Sequence, residues 1–275
     1  MSDKKVFQVA LPVHNSSKTV LRCLDSINGC LSGEEWHLVV GDNGSTDDTL
    51  KKIKDHVKNL SCESEVVMQY SEAKNDAEAK NRVLSICGAF SENRPYVLGM
   101  DASSVMLPAR VRLIDHAVDM PPMQSSKCSM SPIVGPWRYS MSQKEYEQGK
   151  YQQKDIQNLE LSLGFTWAAT ILPAAIIPQQ GKLFKENLNC YEDIIYWHEL
   201  RYQNAIIDFI WVDGEDVYHH VDDPKKYEKQ KQYWQETHDL IEALRNTPNQ
   251  NDFHKHKQVE KEIPQAIGEE APHEI

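Results

Sequence analysis

The chain has 275 residues, of which 40% are apolar and 26% charged, with 13 Pro and 12 Gly. That balance excludes a fibrous, low-complexity or wholly disordered protein and leaves enough chain for a sizeable core. With 30 Lys and Arg against 41 Asp and Glu the net charge is −11, which opposes nonspecific attraction to nucleic acid or anionic membrane unless a local basic patch overrides it.

The first hundred residues alternate β-rich runs with helical patterns. Residues 6–11 read as a strand, Val20, Leu21, Leu24 and Ile27 as the apolar face of a helix, and residues 36–40 as a second strand. A helix pattern follows Ser45, then come a strand around 66–69, a helix through 77–87 and the apolar run 96–100. Strand and helix alternating over short connections predict an α/β fold, a mostly parallel Rossmann-like sheet with helices on both faces. In such sheets ligands bind beyond the carboxyl ends of the strands, where strand order reverses. The residues just after Leu11, Val40 and Met100 are therefore the ones to inspect.

Beyond Pro121 the pattern loosens through Ser-rich turns and a polar segment at 140–154. An apolar region at 163–177, a helix at 192–202 and strand-like runs at 206–212 and 217–221 follow. We expect residues 1–223 to form one domain, 224–247 a C-terminal helix packed on it, and 248–275 a disordered tail. No run of about eighteen apolar residues is present, and residues 1–5 lead straight into a strand, so a cytoplasmic protein is expected. Six cysteines lie scattered without a C-x-x-C pair, which suggests neither a zinc site nor a disulfide framework.

A dinucleotide-binding oxidoreductase would place G-x-G-x-x-G directly after the first strand, and it is absent. That place reads Leu11-Pro12-Val13-His14-Asn15, and the second strand runs into Gly41-Asp42-Asn43-Gly44-Ser45-Thr46-Asp47-Asp48. A carboxylate at a strand end, backed by a glycine turn and a Ser/Thr cap, can accept hydrogen bonds from a base or ribose. Taken singly, the same residues also suit a plain turn and a capped helix.

Taken together, these pieces resemble the nucleotide-sugar-binding domain of glycosyltransferase family 2, the A-type glycosyltransferase fold, over roughly residues 5–223. The resemblance implies that Pro12, Asn15 and Asp42 hold the uridine of a UDP-sugar donor. The family's Ala-Arg-Asn looks like Ala79-Lys80-Asn81, where Lys80 keeps the positive charge near a carbonyl or diphosphate but loses the bidentate fork. The acidic metal motif falls at Asp101-Ala102-Ser103-Ser104. Only Asp101 remains acidic there, Ser103 standing where the pattern has a second Asp, so a Mn²⁺ or Mg²⁺ ion is expected to bind more weakly.

Tyr191-Glu192-Asp193 opens a predicted helix, and the resemblance assigns Asp193 the role of general base in an inverting transfer. The plainer alternative is that Glu192 and Asp193 complement the helix dipole. In Val217-Tyr218-His219-His220-Val221 the resemblance implies a His near the metal and diphosphate; neighbours on a strand point to opposite faces, so at most one of His219 and His220 faces the site, and the pattern leaves open which, His220 being the candidate metal ligand. Residues 105–113 and 79–81 further resemble a eukaryotic subgroup, beta-1,3-N-acetylglucosaminyltransferase-like protein 1, associated with galactosylation of queuosine in transfer RNA. The resemblance thus implies a UDP-linked galactose or N-acetylglucosamine donor and an acceptor that is a glycan or a modified tRNA nucleoside. Lys144, Lys150 and Lys154 supply local basic charge for the latter. The rival reading is a non-catalytic nucleotide-sugar-binding module with a degenerate metal motif.

Overall fold

The computed structural model describes residues 6–89, 96–108, 133–134, 138–141, 167, 170–173, 177, 182–188, 191–202, 210–211, 218–221 and 224–246. The expected polar segment at 140–154 and the tail at 248–275 lie almost wholly outside them. Strands β1 (Val6–Val13), β2 (Glu35–Asn43), β3 (Ser64–Tyr70) and β4 (Tyr96–Gly99) alternate with helices α1 (Val20–Cys30), α2 (Thr49–His56) and α3 (Asp76–Ala89). They are followed by β5 (Ser104–Met106), β6 (Ile133–Val134), β7 (Arg138–Met141) and β8 (Thr170–Pro173). Helix α4 (Glu192–Tyr202), strands β9 (Ile210–Trp211) and β10 (Tyr218–Val221) and helix α5 (Pro224–Arg245) complete the order.

The main sheet runs β3-β2-β1-β4-β8-β6-β9, and a smaller one runs β5-β10-β7. Strands β1 to β4 are mutually parallel, whereas β8 is antiparallel to both β4 and β6. Alternation along the central strands sorts side chains to two faces. Phe7, Val9, Leu11 and Val13 of β1 join Leu38 and Val40 of β2 under Val20, Leu24 and Ile27 of α1 and Ile53 of α2. Ala10 and Val39 face the other way, onto Ala77, Val83, Leu84 and Cys87 of α3. Each fully buried Leu or Ile in these layers is worth about 1.5–3 kcal/mol of transfer free energy. The predicted parallel sheet with helices on both faces is therefore the observed one.

The strands run further than the apolar pattern suggested, since β1 reaches Val13 and β2 reaches Asn43. Pro12 pairs in register with Gly41, and Val13 with Asp42. The β1–β4 ladder, by contrast, stops at Ala10 opposite Gly99, with Met100 N–H donating to the Ala10 carbonyl at 3.0 Å. In a parallel ladder alternate residues turn both backbone groups to the same side, so Pro12 turns toward β4 just where that pairing has ended. A residue without an N–H costs no hydrogen bond there, and the pairing of β1 with β4 has ended by that point. It is the switch point at which strand order reverses.

The C-terminal helix α5 packs Ile241 against Ile194 and Ile195 of α4. Cys23 and Cys87 are buried, while Cys30 and Cys62 are half-buried. The thiols of Cys23 and Cys30 donate to the carbonyls of Asp101 and Met106, each at 3.4 Å.

One glycine fixes the loop after β2. Gly44 has φ +77°, and a Cβ there would lie 2.6 Å from the backbone nitrogen of Glu72. Gly44→Ala adds a left-handed penalty of about 1–2 kcal/mol to a collision with main chain that cannot move aside. We expect it to lower unfolding stability by at least about 2 kcal/mol in urea titration; an unchanged midpoint would contradict the geometry.

Candidate active site

Two loops at the carboxyl edge of the sheet are knotted together by side chains. Asn15, in the left-handed region at φ 46°, accepts at Oδ1 from the Thr46 N–H (2.9 Å), the Thr46 hydroxyl (3.2 Å) and the Asp47 N–H (3.3 Å). Its own N–H donates to Ser45 Oγ at 3.0 Å. His14 donates from Nδ1 to the Asn43 carbonyl (2.9 Å) and accepts from Asn15 Nδ2 at Nε2 (3.0 Å), which fixes its tautomer. Asp47 accepts from the Ser17 N–H and from the Thr49 N–H and hydroxyl. The structure thus gives Asn15 the work of fastening the loop after β1 to the loop after β2.

Asp42 stands differently. It is fully buried, and its Oδ1 accepts one long bond from the Ser45 N–H at 3.3 Å. Its Oδ2 is buried with no hydrogen-bond partner. A buried acceptor without a donor costs about 1–3 kcal/mol, and an imide N–H or a ribose hydroxyl would satisfy it. Nearby, Arg82 donates to Asn43 Oδ1 (3.0 Å) and the Ser71 carbonyl (2.7 Å), pairs with Glu78 (2.8 Å) and stands 5.2 Å from the centre of the Tyr70 ring.

At the end of β4 the chain turns through Asp101, whose carbonyl accepts from the Ser104 N–H at 2.8 Å. Asp101 and Ser103 are half-buried, and Ser104 is fully buried at the start of β5. His220 lies on β10 in register with Ser104, and His219 with Val105. The topology therefore brings the backbone of 220 beside the turn that carries Asp101 and Ser103. Among the described residues no three His, Cys, Asp or Glu side chains converge as a metal cage. One carboxylate beside a hydroxyl still suits a small hard cation that takes its other oxygens from a diphosphate and water.

Lys80 of α3 reaches into the interior and pairs there with Glu192 and, at 3.4 Å, with Asp193 Oδ2. All three are buried. The ammonium also lies 5.9 Å from the Trp167 ring and 5.8 Å from the Phe184 ring. Burial alone would lower the Lys80 pKa, but Asp193 and Glu192, with Asp101 and Asp76 behind them, hold it well above the usual lysine range. Burial pushes the Glu192 carboxyl up, against the pull of Lys80 and with the help of Asp193 and Asp76. Both directions express one cation shared among several carboxylates. Lys80, expected near a donor carbonyl or diphosphate, is thus engaged by the two acids that open α4.

Helix α4 starts at a strained residue, Tyr191, with φ 57°, whose carbonyl accepts the Ile195 N–H at 3.0 Å. Asp193 sits in the first turn, where Oδ1 accepts the Ile194 N–H (2.9 Å) and Oδ2 the Trp167 N–H (2.7 Å). Asn81 holds the approach to α4 by a reciprocal pair with Phe184, Nδ2 to its carbonyl and Oδ1 from its N–H, both 2.8 Å. Asn75 does the same from the N-cap of α3, donating to the carbonyls of Glu186 (2.8 Å) and Leu188 (3.0 Å) while accepting the Glu78 N–H (3.0 Å). Glu192 as a partner of Lys80, Trp167 as a donor to Asp193 and Arg82 beside Tyr70 were not singled out from sequence. A main-chain donor has no residue signature, and Lys80 and Glu192 are 112 positions apart.

The mostly parallel sheet, with strand order reversing between β1 and β4, is that of an A-type glycosyltransferase fold. Residues 8–170 match the model of glycosyl transferase family 2; the chain belongs to that family and is a glycosyltransferase. No curated protein sequence matches it. Among solved structures it is similar to S. aureus TarS 1-349 in complex with UDP-GlcNAc, at 14% identity and TM-score 0.62, covering 96% of this chain and 73% of that one. It covers 44% of a longer TarS chain. The mannosyltransferase PcManGT from Pyrobaculum calidifontis, in complex with GDP-Man and Mn²⁺, aligns at 13% identity and TM-score 0.61, over 97% of this chain and 71% of that one. Glucosyl-3-phosphoglycerate synthase from Mycobacterium tuberculosis, in complex with Mn²⁺, UDP and glucosyl-3-phosphoglycerate, aligns at 14% identity and TM-score 0.53, over 90% and 82%. No helix among the described residues is long and apolar enough to cross a membrane.

The loop knot carries a pH signature. Burial would raise the Asp47 carboxyl, but the bonds from Thr49 and Ser17 outweigh it and bring the group down to about 2. A lowered carboxylate pKa stabilises the fold above the ordinary carboxylate range, and the contribution fades as pH falls through the folded value. Asp47→Ala should therefore be less stable than wild type at neutral pH, the gap narrowing between about pH 4 and pH 2. Urea titrations along that range read it, and a gap that stays constant would contradict the assignment.

Proposed function

We propose that the protein transfers galactose or N-acetylglucosamine from a UDP-sugar, with inversion, to an acceptor hydroxyl, and that Asp193 is the general base. The observation that carries this reading is the shared cation. Asp193, at the head of α4, lies 3.4 Å from the buried Lys80 ammonium, which also pairs with Glu192. That cation and the main-chain N–H groups of Trp167 and Ile194 fix the carboxylate in the first turn of α4, the placement a general base toward the acceptor requires. Pro12, Asn15 and Asp42 then frame the uridine, with Asp42 Oδ2 taking the imide N–H and the Asn15 knot holding both loops in shape. Bound UDP and UDP-GlcNAc in the neighbouring TarS and synthase structures support a UDP-linked donor.

In the transfer the acceptor hydroxyl gives its proton to Asp193 while its oxygen bonds to the anomeric carbon. The bond from that carbon to the diphosphate oxygen breaks on the opposite face, and UDP departs with the electron pair. A divalent cation, Mn²⁺ or Mg²⁺, held by Asp101 with Ser103 and His220 beside it, would offset charge developing on the leaving diphosphate. Mn²⁺ in two of the neighbouring structures supports that choice. Residues 1–223 are taken as the catalytic domain, 224–247 as an added helix and 248–275 as a tail, in a cytoplasmic protein. A glycan or a queuosine-type nucleoside in tRNA is the proposed acceptor, on the subgroup resemblance of residues 79–81 and 105–113. The intact Asp193 cluster argues for catalysis over a binding module.

Asp193→Asn should leave UDP affinity near wild type in calorimetry and lower UDP-sugar hydrolysis or transfer by roughly a hundredfold to ten-thousandfold. Equal rates would remove Asp193 from the mechanism. Asp42→Ala should abolish UDP binding at millimolar concentration, and wild-type affinity in that variant would place the uridine elsewhere. Ser103→Asp should tighten Mn²⁺-dependent UDP binding, because it restores a charged ligand to a hard-cation site.

A further inference from the structure

We infer that Trp167 is a positioning residue for Asp193, reserving Oδ2 so that Oδ1 is the oxygen that takes the acceptor proton; the inference rests on the reading of Asp193 as general base. The two carboxylate oxygens are not equivalent. Oδ2 accepts the Trp167 N–H at 2.7 Å and the Lys80 ammonium at 3.4 Å, which occupies both of its in-plane lone pairs. Oδ1 accepts the adjacent Ile194 N–H at 2.9 Å and keeps a second lone pair for a proton.

The Trp167 main chain can hold Oδ2 because its side chain is pinned at the opposite end. The indole Nε1–H donates to the Met100 carbonyl at 3.2 Å, one residue before Asp101. The ring meets Phe184 edge-on at 6.0 Å between centroids. Beneath it is Gly99, the last residue of β4. A Cβ at that position would overlap the Trp167 ring and come within 2.6 Å of the Trp167 carbonyl oxygen. Gly99 is thus the space that lets Trp167 lie against the strand. Gly99, Trp167 and Asp193 form a series in which the end of the donor-side strand sets the position of the base. Base and leaving group are thereby registered to one another, and a misplacement of about 1 Å between such groups costs on the order of a hundredfold in rate.

Three variants test the series through UDP binding by calorimetry, thermal melts, and kcat and KM for hydrolysis of UDP-GlcNAc and UDP-galactose. Gly99→Ala pushes Trp167 off the strand and should lower kcat by about tenfold to a hundredfold. KM for the donor and UDP affinity should stay within about threefold of wild type, the split expected when only the reacting geometry is disturbed. Trp167→Phe keeps a ring and the main-chain N–H but loses the bond to Met100, and should lower kcat by less than Gly99→Ala. A folded Gly99→Ala protein with wild-type kcat would overturn the inference, as would a fall in kcat matched by an equal loss of UDP affinity. Should Gly99→Ala not fold, Trp167→Phe decides, and unchanged kcat in that variant overturns the inference. Asp193→Asn separates the two levels: if it is inactive while both other variants turn over normally, the positioning role alone fails. If Asp193→Asn retains full turnover, the base assignment fails and the positioning role with it.

Discussion

A single buried ammonium group ties helix α3 to the head of α4. Lys80 pairs with Glu192 and Asp193 at the head of α4, and the negative charges of Asp101 and Asp76 add to the pull that raises its pKa. Taking ions out of water costs several kcal/mol each, and the cost is recovered only when every partner is in place. Removing one member of such a buried set typically costs about 3–5 kcal/mol, because the others are left uncompensated. The cluster is therefore a junction as well as a site.

The loops after β1 and β2 follow a different logic, fastened by short polar side chains. Asn15 accepts a left-handed backbone, an uncommon state for a residue with a side chain, and its Oδ1 satisfies three donors of the facing loop. Asp47 ties the loop after β1 to the N-terminus of α2 from the other direction. Loops fixed before a ligand arrives have less freedom to lose on binding, so more of the contact energy appears as affinity. Gly41, whose Cβ position faces Val83 and Tyr70 at ordinary contact distance, leaves the floor of this region close to α3.

Strand-like runs alternating with helical patterns over short connections made the parallel sheet legible in the sequence, and residues 6–11, 36–40 and 96–100 each mark a real strand. The strand ends were under-read because Pro12, Asp42 and Asn43 look like turn residues. In the structure they are the last rungs of paired strands. The head of α4 was readable as two acids in a first helical turn. Their partner was not, since an i,i+4 pattern reveals pairs along one helix and nothing about a lysine on another. Trp167 looked like one more apolar residue in the region 163–177. Its contribution lies in a main-chain N–H and in the absence of a side chain at Gly99, and only tertiary structure displays either.

Asp42 carries a consequence for selectivity among nucleobases. Its buried Oδ2 is an acceptor with nothing to accept, so the ligand-free protein bears a desolvation cost that a donor on the ligand relieves. Under the proposed UDP assignment, uracil presents an imide N–H at that position, whereas cytosine presents a lone pair to an oxygen already rich in electrons. Discrimination between the two pyrimidines then rests on repulsion of the wrong base as much as on attraction of the right one. It is set by one side chain that the fold has already stripped of water.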